Sequence, residues 1–355
     1  MPFLKHSLIK KFLIRIALWS KVFTEKQDEV KILMKKDILL EVDEVKITII
    51  MDNTIDAFMT GNEIVHRLDI SKSPLISDDG FSTLIAEHGF SAMIQVKCGN
   101  KQGTVLLDAG ISPSGILHNM GALGINANDM QAIILSHGHV DHTMGLPSLI
   151  EKLGPHQISL ISHPDAFLDR KVIMPGGYEL NISPPKLTAS QQEKIVFVKK
   201  SDPTLIVDNM ILVSGEIART TDFETGFPIH YTKRKGQWEN DPVIKDDQCV
   251  IVNVRGQGLV IITGCCHSGV INTIRYAQAL TNSQQIYAVL GGFHLTGGIF
   301  EGIIPATITE LQKINPTYLM PGHCTGWSAI HQIARSMPKA FIPNNVGTTL
   351  VFQAK

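Results

Sequence analysis

Residues 137–142 carry a dense set of side chains that could bind metal ions. His137, His139, Asp141 and His142 fall within six residues of one another. Imidazole and carboxylate groups are ligands that borderline divalent metals take in water. Gly138 allows the backbone to curl, so that the first two histidines face one position while Asp141 and His142 reach a second. The pattern predicts two adjacent metal ions sharing a hydroxide, and a single structural metal is the simpler alternative.

The flanking sequence predicts a strand-to-helix turn at this cluster. An apolar run at 132–135 indicates a buried strand, and the spacing of Leu146, Leu149, Ile150 and Leu153 indicates a helix. Side chains at the end of a rigid strand can converge on one point, which is what a metal site needs.

From Lys46 onward the pattern predicts alternating strands and helices. Strands are expected at 47–50, 90–96, 104–107, 132–135, 158–161, 249–254, 259–263, 286–290 and 318–320. Helices are expected at 143–153, 270–280 and 304–314, with a short one within 110–128. Two halves, each led by a hairpin and completed by strand–helix units, indicate an α/β (α+β) fold with two sheets packed face to face and helices outside.

A long irregular segment, 165–248, interrupts this pattern. Segments of this length in compact domains are usually functional or disordered, and short apolar runs at 195–198 and 210–213 favour partial order and a role in shaping the substrate site. Its cations and rings suit a phosphorylated heteroaromatic ligand, and a solvated loop is the alternative. These residues are Arg170, Lys171, Arg219, Lys233, Arg234, Lys235, Phe223, Phe227, Tyr231 and Trp238.

Residues 1–45 differ from the rest and predict a basic helical appendage to a catalytic domain at 46–355. Met1–Phe23 has lysines and an arginine but no acidic residue, with apolar residues on one helical face. Arg15 interrupts the apolar run, which disfavours a signal peptide. A packing or partner helix is favoured over a helix lying on a membrane surface, and upstream sequence joined to a later start is a third alternative.

Composition limits the classes of binding partner and the cellular compartment that the sequence favours. The formal net charge is −1, so no overall field favours nucleic acid or an anionic membrane. The five cysteines are an odd number and two are adjacent, which is a poor disulfide framework and predicts a reducing, cytoplasmic compartment. No apolar run reaches transmembrane length. We expect a small anionic or phosphorylated substrate, and homo-oligomerisation stays open.

The His137-x-His139-x-Asp141-His142 phrase resembles the signature of the metallo-β-lactamase superfamily, and the resemblance extends from Lys46 to the C-terminus. Further phrases resemble the subgroup of 7,8-dihydropterin-6-ylmethyl-4-(β-D-ribofuranosyl)aminobenzene 5′-phosphate synthases. They are the segments at 51–53, 86–91, 107–110, 263–269, 291–295 and 323–326.

The resemblance implies a metallo-β-lactamase-like αββα sandwich and further metal ligands. It implies His323, after Pro321-Gly322, as the last ligand. His267 is a further candidate from its position at a predicted strand end with glycines on both sides, and for both histidines the alternative is a hydrogen bond to a ligand. The chain departs from the superfamily in two places: Glu216 lies where many members have a histidine, and Cys265 lies where many have a bridging aspartate. We expect Cys265 to be buried by packing, and a thiolate ligand is the alternative. The nitrogen-rich set favours two Zn²⁺ ions, with Mn²⁺ or Fe²⁺ as alternatives.

Several other residues follow strand ends and are expected near the site. His294 is predicted to contact substrate or to move a proton, together with Asp141 as the catalytic carboxylate and Arg219 and Phe223 as substrate contacts. Hydrogen-bond partners of the ligands are expected among Asp52, Asn53, Glu87, His88 and Asp108. His163 precedes a proline, so a structural turn is as well supported as a site role.

Three functions remain open. The subgroup implies a transferase that joins a dihydropterin methyl diphosphate to a phosphorylated ribosyl-aminobenzene with loss of diphosphate. A metal-dependent hydrolase of a small phosphoester, lactone or thioester, using a metal-bridging hydroxide, would need the same ligands. A non-catalytic, metal-stabilised binding protein is the third. A nuclease is disfavoured because no basic exosite is present, and an oxygen- or nitric-oxide-reducing diiron enzyme because no flavin-binding domain follows.

Overall fold

The computed structural model describes residues 38–68, 76–77, 80–81 and 83–355. The helix predicted at Met1–Phe23 lies outside the described residues. Leu39–Lys355 form one compact unit. Within the described part of the chain, no helix is long and apolar enough to cross a membrane.

The strands, numbered in chain order, are β1 (Glu41–Val42), β2 (Glu44–Met51), β3 (Val65–His66), β4 (Ile76–Ser77), β5 (Gly80–Phe81), β6 (Ser91–Cys98), β7 (Lys101–Leu107), β8 (Ala132–Ile134), β9 (Ile158–Ser162), β10 (Arg170–Ile173), β11 (Glu179–Asn181), β12 (Ile195–Lys199), β13 (Thr204–Ile206), β14 (Ile211–Val213), β15 (His230–Arg234), β16 (Gln237–Asn240), β17 (Cys249–Val254), β18 (Gly258–Thr263), β19 (Ile286–Gly292), β20 (Tyr318–Gly322) and β21 (Thr349–Gln353). The α-helices are α1 (Pro113–Ala122), α2 (Val140–Thr143), α3 (Leu146–Lys152), α4 (Ala189–Glu193), α5 (Val270–Thr281), α6 (Ile304–Ile314) and α7 (Trp327–Ser336).

Two large mixed sheets form the body of the described structure. One has the order β12-β9-β8-β7-β6-β2-β21-β3, and the other has the order β13-β14-β17-β18-β19-β20, with β1 pairing parallel to β17. The hairpins β6–β7 and β17–β18 are antiparallel, whereas β7–β8–β9 and β18–β19–β20 run parallel. The parallel runs matter for function, because the carboxyl ends of neighbouring parallel strands meet at one edge of a sheet.

The two sheets pack face to face through their branched apolar side chains. Ile47, Ile94 and Leu107 of one sheet lie in the same buried cluster as Val252 and Ile262 of the other. On the outer face of the first sheet, helices α1 and α3 cover a second cluster. Strands buried on both faces carry nearly continuous apolar runs. β18 is an example, since it is buried throughout and is apolar at 259–262. The predicted αββα sandwich of packed mixed sheets with helices outside is therefore confirmed.

The segment 165–248 is more ordered than the sequence indicates. It contains a four-stranded antiparallel sheet, β11-β10-β15-β16, which we call the insertion sheet. It also supplies β12 as an edge strand of the first large sheet and β13–β14 at the edge of the second. The apolar runs at 195–198 and 210–213 correspond to β12 and β14. The strands of the insertion sheet are three to five residues long and of mixed polarity, which gives too weak a periodic signal to be found without their partners.

Most predicted elements of the body lie within a few residues of the observed ones, and β17 and α6 have the predicted bounds. The predicted helix at 143–153 is split in two, α2 and α3, near Gly145, where an added Cβ would lie 2.1 Å from the Ala109 carbonyl oxygen. Helix α7 and strand β21 are additional to the prediction. Strand β1 and the start of β2 precede residue 46 and pair with β17 and β21.

Candidate metal centre

The centre lies where strands of both large sheets end. Asp108, Cys266, His294 and His323 follow β7, β18, β19 and β20 closely, and each has a positive φ between 46° and 63°. Left-handed backbone is costly for residues other than glycine and clusters at functional sites, where the surrounding structure enforces it. The four turns bring their neighbours into one buried group.

The first set of donors, which we call half-site A, consists of His137, His139 and His267. Nε2 of His267 lies 3.2 Å from Nε2 of His137 and 3.1 Å from Nδ1 of His139. All three rings are buried. Their nitrogens converge as the ligands of one cation do.

The second set, half-site B, consists of Asp141, His142, Cys265 and His323. Nε2 of His142 and Nε2 of His323 are 3.1 Å apart, and Asp141 Oδ2 lies 3.3 Å from the latter. The four donor atoms lie within 4.8 Å of one another. The side chain of Asp141 is 14% exposed, whereas those of both histidines are fully buried, so the carboxylate is the member of the set that faces the opening.

Cys265 lies between the half-sites. Its Sγ is 3.1 Å from His142 Nε2 and 3.2 Å from His323 Nε2, and it also forms a donor group with His267 and His294. Burial, together with neighbouring Cys324, raises the pKa of the thiol well above its ordinary value. A thiolate at this position therefore needs a cation beside it, as in metal binding that releases a proton. Cys265 is buried, as expected, and its sulfur lies among the donors of half-site B, where both packing and the ligand role can be tested.

Burial sets the charge state of half-site A. Burial, and then the neighbouring imidazoles, lower the pKa of His137, His139 and His267 well below its usual value, so all three are neutral donors. Burial alone would raise the pKa of Asp141, but His142 and His323 outweigh it and hold the carboxyl pKa below its usual range. Neutral imidazoles are the form that binds a metal, so half-site A needs no proton release. In half-site B the neighbouring carboxylates outweigh burial and raise the pKa of His142. Cys324 and Asp141 likewise outweigh burial and raise the pKa of His323 to about 9, so a metal there displaces protons.

Asp108 orients ligands of both half-sites. Its Oδ2 accepts a hydrogen bond from His142 Nδ1 at 2.7 Å and another from Ser136 Oγ at 2.6 Å. The same hydroxyl lies 2.9 Å from His137 Nδ1. Since the serine proton points to the carboxylate, the oxygen accepts from His137. Both histidines thus carry a proton on Nδ1 and turn Nε2 toward the half-sites.

Asp52, at the end of β2, fixes His323. Its Oδ1 accepts from the backbone N–H of His323 at 2.9 Å, and Asn53 Nδ2 donates to the His323 carbonyl at 2.9 Å. The ring of His88 stacks on that of His323 at 5.0 Å between centroids. Nε2 of His88 lies 3.8 Å from Asp141 Oδ2, and the side chain is 62% exposed. His88 therefore borders half-site B on its solvent side.

The loop that carries His267 is fastened by the insertion. Arg219 donates from Nη2 to the His267 carbonyl at 3.0 Å, and Asp247 Oδ2 accepts from the Ser268 N–H at 2.8 Å. Glu224 accepts from two N–H groups in the first turn of α5 at 2.9 Å each. Gly269 has a φ of 93°, and a Cβ there would lie 2.1 Å from the Glu224 carboxyl carbon. The close approach therefore requires glycine.

The insertion also grips the 137–142 loop. Asp246 Oδ2 accepts from the Gly138 N–H and from Arg170 Nη2, both at 2.8 Å, and both side chains are buried. A Cβ at Gly138 would lie 1.9 Å from the carbonyl oxygen of Ala166. Nε2 of His230, on β15, lies 3.1 Å from Nε2 of His139. Gly138 therefore serves contact with the insertion as well as the backbone curl predicted from sequence.

An aromatic wall borders half-site A. The ring of His294 lies 4.2 Å from that of His267 and 4.4 Å from that of Phe300, between centroids. Phe227 lies 5.4 Å from His294 and is nearly parallel to His267 at 6.2 Å. Both nitrogens of the half-buried His294 are without a hydrogen-bond partner among the described residues. A substrate contact by His294 is compatible with this arrangement.

Other predicted residues lie away from the donors or have different partners. Glu87 accepts from Ser112 Oγ at 2.5 Å beside the start of α1, and His163 accepts from the Asp165 N–H in a turn. Arg219 donates to three carbonyl groups. Phe223 is half-buried, and Glu216 is outside both donor sets.

Most of the cationic side chains predicted to bind substrate from segment 165–248 already have partners within the protein. Arg170 is paired with Asp246, and Arg234 with Asp165, Glu239 and Asp241. Lys171 is the cross-strand neighbour of Tyr231, and Lys233 is that of Trp238. Side chains alternate between the faces of a strand, so these residues lie on the face opposite to His230. The amines of both lysines lie over the Trp238 ring. These two lysines therefore face away from half-site A.

Sequence reasoning missed His230 and Phe300. His230 falls in a short strand of mixed polarity and belongs to no motif. Its sequence shows only a histidine at the start of a brief alternation through Tyr231, Thr232 and Lys233, which is a weak indication of a strand. Phe300 follows a glycine-rich turn with no periodicity. Both reach the centre through tertiary packing.

Comparison with known proteins gives consistent results. The family model of the metallo-beta-lactamase superfamily matches residues 86–280, which hold every donor of both half-sites except His323. The 7,8-dihydropterin-6-methyl-4-(beta-D-ribofuranosyl)-aminobenzene-5′-phosphate synthase of Methanocaldococcus jannaschii is 29% identical over 276 residues, covering 75% of this chain and 90% of the relative. An uncharacterized protein of that organism is 32% identical over 278 residues, covering 77% and 96%. A crystal structure of a metal-dependent hydrolase of the beta-lactamase superfamily aligns with a TM-score of 0.64 at 20% identity, covering 87% of this chain and 99% of the other.

Proposed function

The chain belongs to the metallo-β-lactamase superfamily, and from that premise we propose that it is an enzyme that uses two divalent metal ions. The observation that carries the proposal is the pair of donor sets facing each other across Cys265. Half-site A would hold one ion and half-site B the other, with the cysteine sulfur beside both.

The residues present fit such ions. The hydrogen bonds of His137 and His142 use their Nδ1 atoms and turn Nε2 into the half-sites, and His267 Nε2 lies 3.2 Å from His137 Nε2. Buried imidazole nitrogens this close, with pKa values well below the usual one in half-site A, are arranged as neutral donors around one cation. Nδ1 of His267 and Nδ1 of His323 have no partner among the described residues, so neither ring is turned by a competing bond.

Zinc is the metal that the donors favour. Imidazole suits several first-row metals, but a thiolate is a soft ligand that selects zinc over manganese. Bound here, the ions would polarise the leaving group or lower the pKa of a water molecule.

We propose that the reaction joins a dihydropterin methyl diphosphate to a phosphorylated ribosyl-aminobenzene, with release of diphosphate. Support comes from the 29% identical synthase, of which this chain covers 90%. The rings of Phe227, Phe300 and His294 beside half-site A offer flat apolar surface to a planar heterocycle. The substrate's charge would fall on the metal side of the pocket, because Lys171 and Lys233 face away.

Two side chains would act on the substrate directly. Asp141 faces the opening and stays ionised, so it can accept a proton from an attacking group. His294 has two nitrogens without partners and stands against the aromatic wall, where it can hydrogen-bond a ring nitrogen or oxygen of the substrate.

The ionised Asp141 also supports a second candidate, hydrolysis of a small phosphoester, lactone or thioester. A carboxylate beside a cation site can take the proton of an attacking water as readily as that of an arylamine. The two reactions differ in the nucleophile, and product analysis therefore separates them.

The experiment combines metal analysis with a two-substrate assay. Purified protein should contain two transition-metal ions per chain after reconstitution. Incubation with both substrates should yield diphosphate and the joined product together, detected by mass spectrometry. Asp141→Asn keeps the side-chain shape and should reduce the rate by about 10²–10⁴-fold while the protein stays folded.

Other outcomes decide between the candidates. Diphosphate or another cleavage product formed without the joined species would support the hydrolase. Protein that binds no transition metal after reconstitution would contradict both candidates.

A further inference from the structure

His230 is a buried residue of the insertion sheet that reaches the metal centre from outside the two large sheets. It is the first residue of β15 and lies on the strand face shared with Thr232, which is also fully buried. Its Nε2 is 3.1 Å from Nε2 of His139, and its Nδ1 is 2.8 Å from the carbonyl oxygen of Asp241. The ring thus bridges the backbone of the insertion and a ligand of half-site A.

The two contacts have a defined direction. A carbonyl oxygen only accepts, so Nδ1 of His230 must carry the proton of the bond to Asp241. In a neutral ring Nε2 is then a bare acceptor. The facing Nε2 of His139 must donate to it, and the proton of His139 therefore lies on Nε2. The Nδ1 lone pair of His139 is left free, and it is this atom that lies 3.1 Å from His267 Nε2 in half-site A.

We infer that His230 is a positioning residue for the metal centre, selecting the tautomer and ring orientation of His139 that expose Nδ1 to a cation in half-site A. The inference rests on the proposed metal-dependent function and extends it to the insertion. Without an acceptor at this place, His139 can move its proton to Nδ1, which then opposes the cation. Outer partners of this kind typically change metal affinity by about 10–100-fold.

The position differs from that of Asp108, which orients His137 and His142 with a carboxylate at the end of β7. His230 is an imidazole supplied by a separate small sheet, and its own orientation depends on the backbone at Asp241, immediately after β16. The Asp241 N–H donates in turn to the His230 carbonyl at 2.9 Å. The hairpin β15–β16 therefore fixes His230 twice, once through its main-chain carbonyl and once through Nδ1 of its ring.

Two variants separate the acceptor from the packing role. In His230→Gln the amide oxygen can take the place of Nε2 and accept from His139. In His230→Asn the amide nitrogen takes the place of Nδ1 and keeps the bond to Asp241, but no group reaches His139. We expect Asn to weaken metal binding at half-site A by about 10–100-fold and Gln to keep most of the affinity. His118→Asn, which removes a histidine–carbonyl bond on α1 outside both half-sites, serves as control.

Affinity is measured by chelator competition on the zinc protein, with the folded state checked by thermal unfolding of the metal-free protein. Long-range ¹H–¹⁵N NMR of the wild-type protein, labelled at histidine, reports the tautomer of His139 directly and needs no variant to fold. We expect a proton on Nε2 of His139 in both metal-free and zinc-loaded protein.

A proton on Nδ1 of His139 in the metal-free protein would overturn the inference. So would equal affinities of His230→Asn and wild type, or equal losses for the Gln and Asn variants. In these cases the wild type would still bind two metals, so the proposed function would stand. Wild-type protein without bound metal would instead contradict the proposed function itself.

Discussion

The two half-sites are similar in chemistry but are supported by different parts of the chain. Half-site B is fixed by carboxylates at the strand ends of one large sheet, Asp108 after β7 and Asp52 after β2. Half-site A receives its additional contacts from the insertion, through His230 to His139 and Arg219 to the carbonyl of His267. One half-site is thus a product of the αββα body, and the other is completed by a segment inserted into it.

This difference changes the role of the segment 165–248. If the segment only covered the substrate, loosening it would not affect metal binding. Because it orients two ligands of half-site A, loosening it should also weaken metal binding there. The backbone of the 137–142 loop makes the same point, since its Gly138 N–H donates to Asp246 and its Val140 N–H to the carbonyl of Ile182. We therefore expect metal binding at half-site A to depend on the order of the insertion.

The largest effect is expected at the buried ion pair of the insertion, Arg170 and Asp246. Both side chains are at most 1% exposed. Arg170→Met leaves the Asp246 charge uncompensated and should lower the free energy of unfolding by about 3–5 kcal/mol. Because Asp246 also accepts from Gly138, metal at half-site A should be lost before metal at half-site B. Chemical denaturation and metal titration measure the two effects.

The double variant Arg170→Met/Asp246→Asn is the control for that measurement. Removing both charges should recover most of the lost stability, since a buried pair is often replaced at little cost. A single variant that unfolds like wild type, or that loses half-site B first, would contradict the proposed dependence of half-site A on the insertion.

Cys265→Ser tests the donor between the half-sites. If the thiolate is a ligand of half-site B, a serine hydroxyl is a much weaker replacement, and affinity for the second metal should fall by more than about 100-fold, beyond the effect of an outer partner. Cobalt substitution should show a sulfur-to-metal absorption band in wild type that is absent in the variant. Cys266→Ser is the matched control, because its sulfur contacts Thr273 Oγ1 at 3.1 Å and belongs to neither half-site. Two metals retained in Cys265→Ser with the band unchanged would show that the thiol only packs.

Asp108→Asn tests whether the two half-sites have separate supports, because Asp108 contacts half-site B directly and half-site A only through another residue. It contacts His142 directly and His137 only through Ser136. An amide nitrogen at Oδ2 would face the Nδ1–H of His142 donor to donor. Affinity at half-site B should fall by about 10–100-fold, with a smaller loss at half-site A. Stepwise metal titration gives both values, and an equal loss at the two half-sites would argue against the separate supports.

The sequence predicts the parts of the centre that follow uninterrupted apolar runs. Apolar runs locate β8 and β18, and the ends of those strands locate His137 and Cys265 without any knowledge of tertiary structure. The motif predicts one position for His137 and His139 and a second for Asp141 and His142, and in the structure these pairs lie in two different groups of neighbouring donor atoms. Strand ends and local spacing are properties of a short stretch of chain, and a sequence shows them directly.

The contacts of the insertion could not be predicted in this way. His230 and His139 are 91 residues apart and meet only when β15 packs on the 137–142 loop. The same holds for Arg219, which the sequence places among free cations for a phosphorylated ligand. In the structure its guanidinium donates to main-chain carbonyls, because burying an arginine requires partners for its N–H groups. Composition identifies charges but not their partners.

The smallest effect on metal affinity is expected for Arg219→Met, which keeps much of the side-chain volume and removes the bonds to the carbonyls of Glu224, Val243 and His267. Only the last of these lies on the loop of a predicted ligand, and the His267 ring itself is untouched, so the loss of affinity comes from the orientation of that loop. A hydrogen bond contributes about 1 kcal/mol, which corresponds to about a fivefold lower affinity at half-site A. Half-site B should change less, because its histidines are held by Asp108 and Asp52 and not by Arg219. Arg275→Met is the matched control: Arg275 lies on α5, is 41% exposed and pairs with Glu310. Surface pairs contribute little, so that variant should bind both metals as wild type does. A loss at half-site B equal to that at half-site A in Arg219→Met would mean that the two half-sites respond as one unit, and the distinction between body and insertion would then fail.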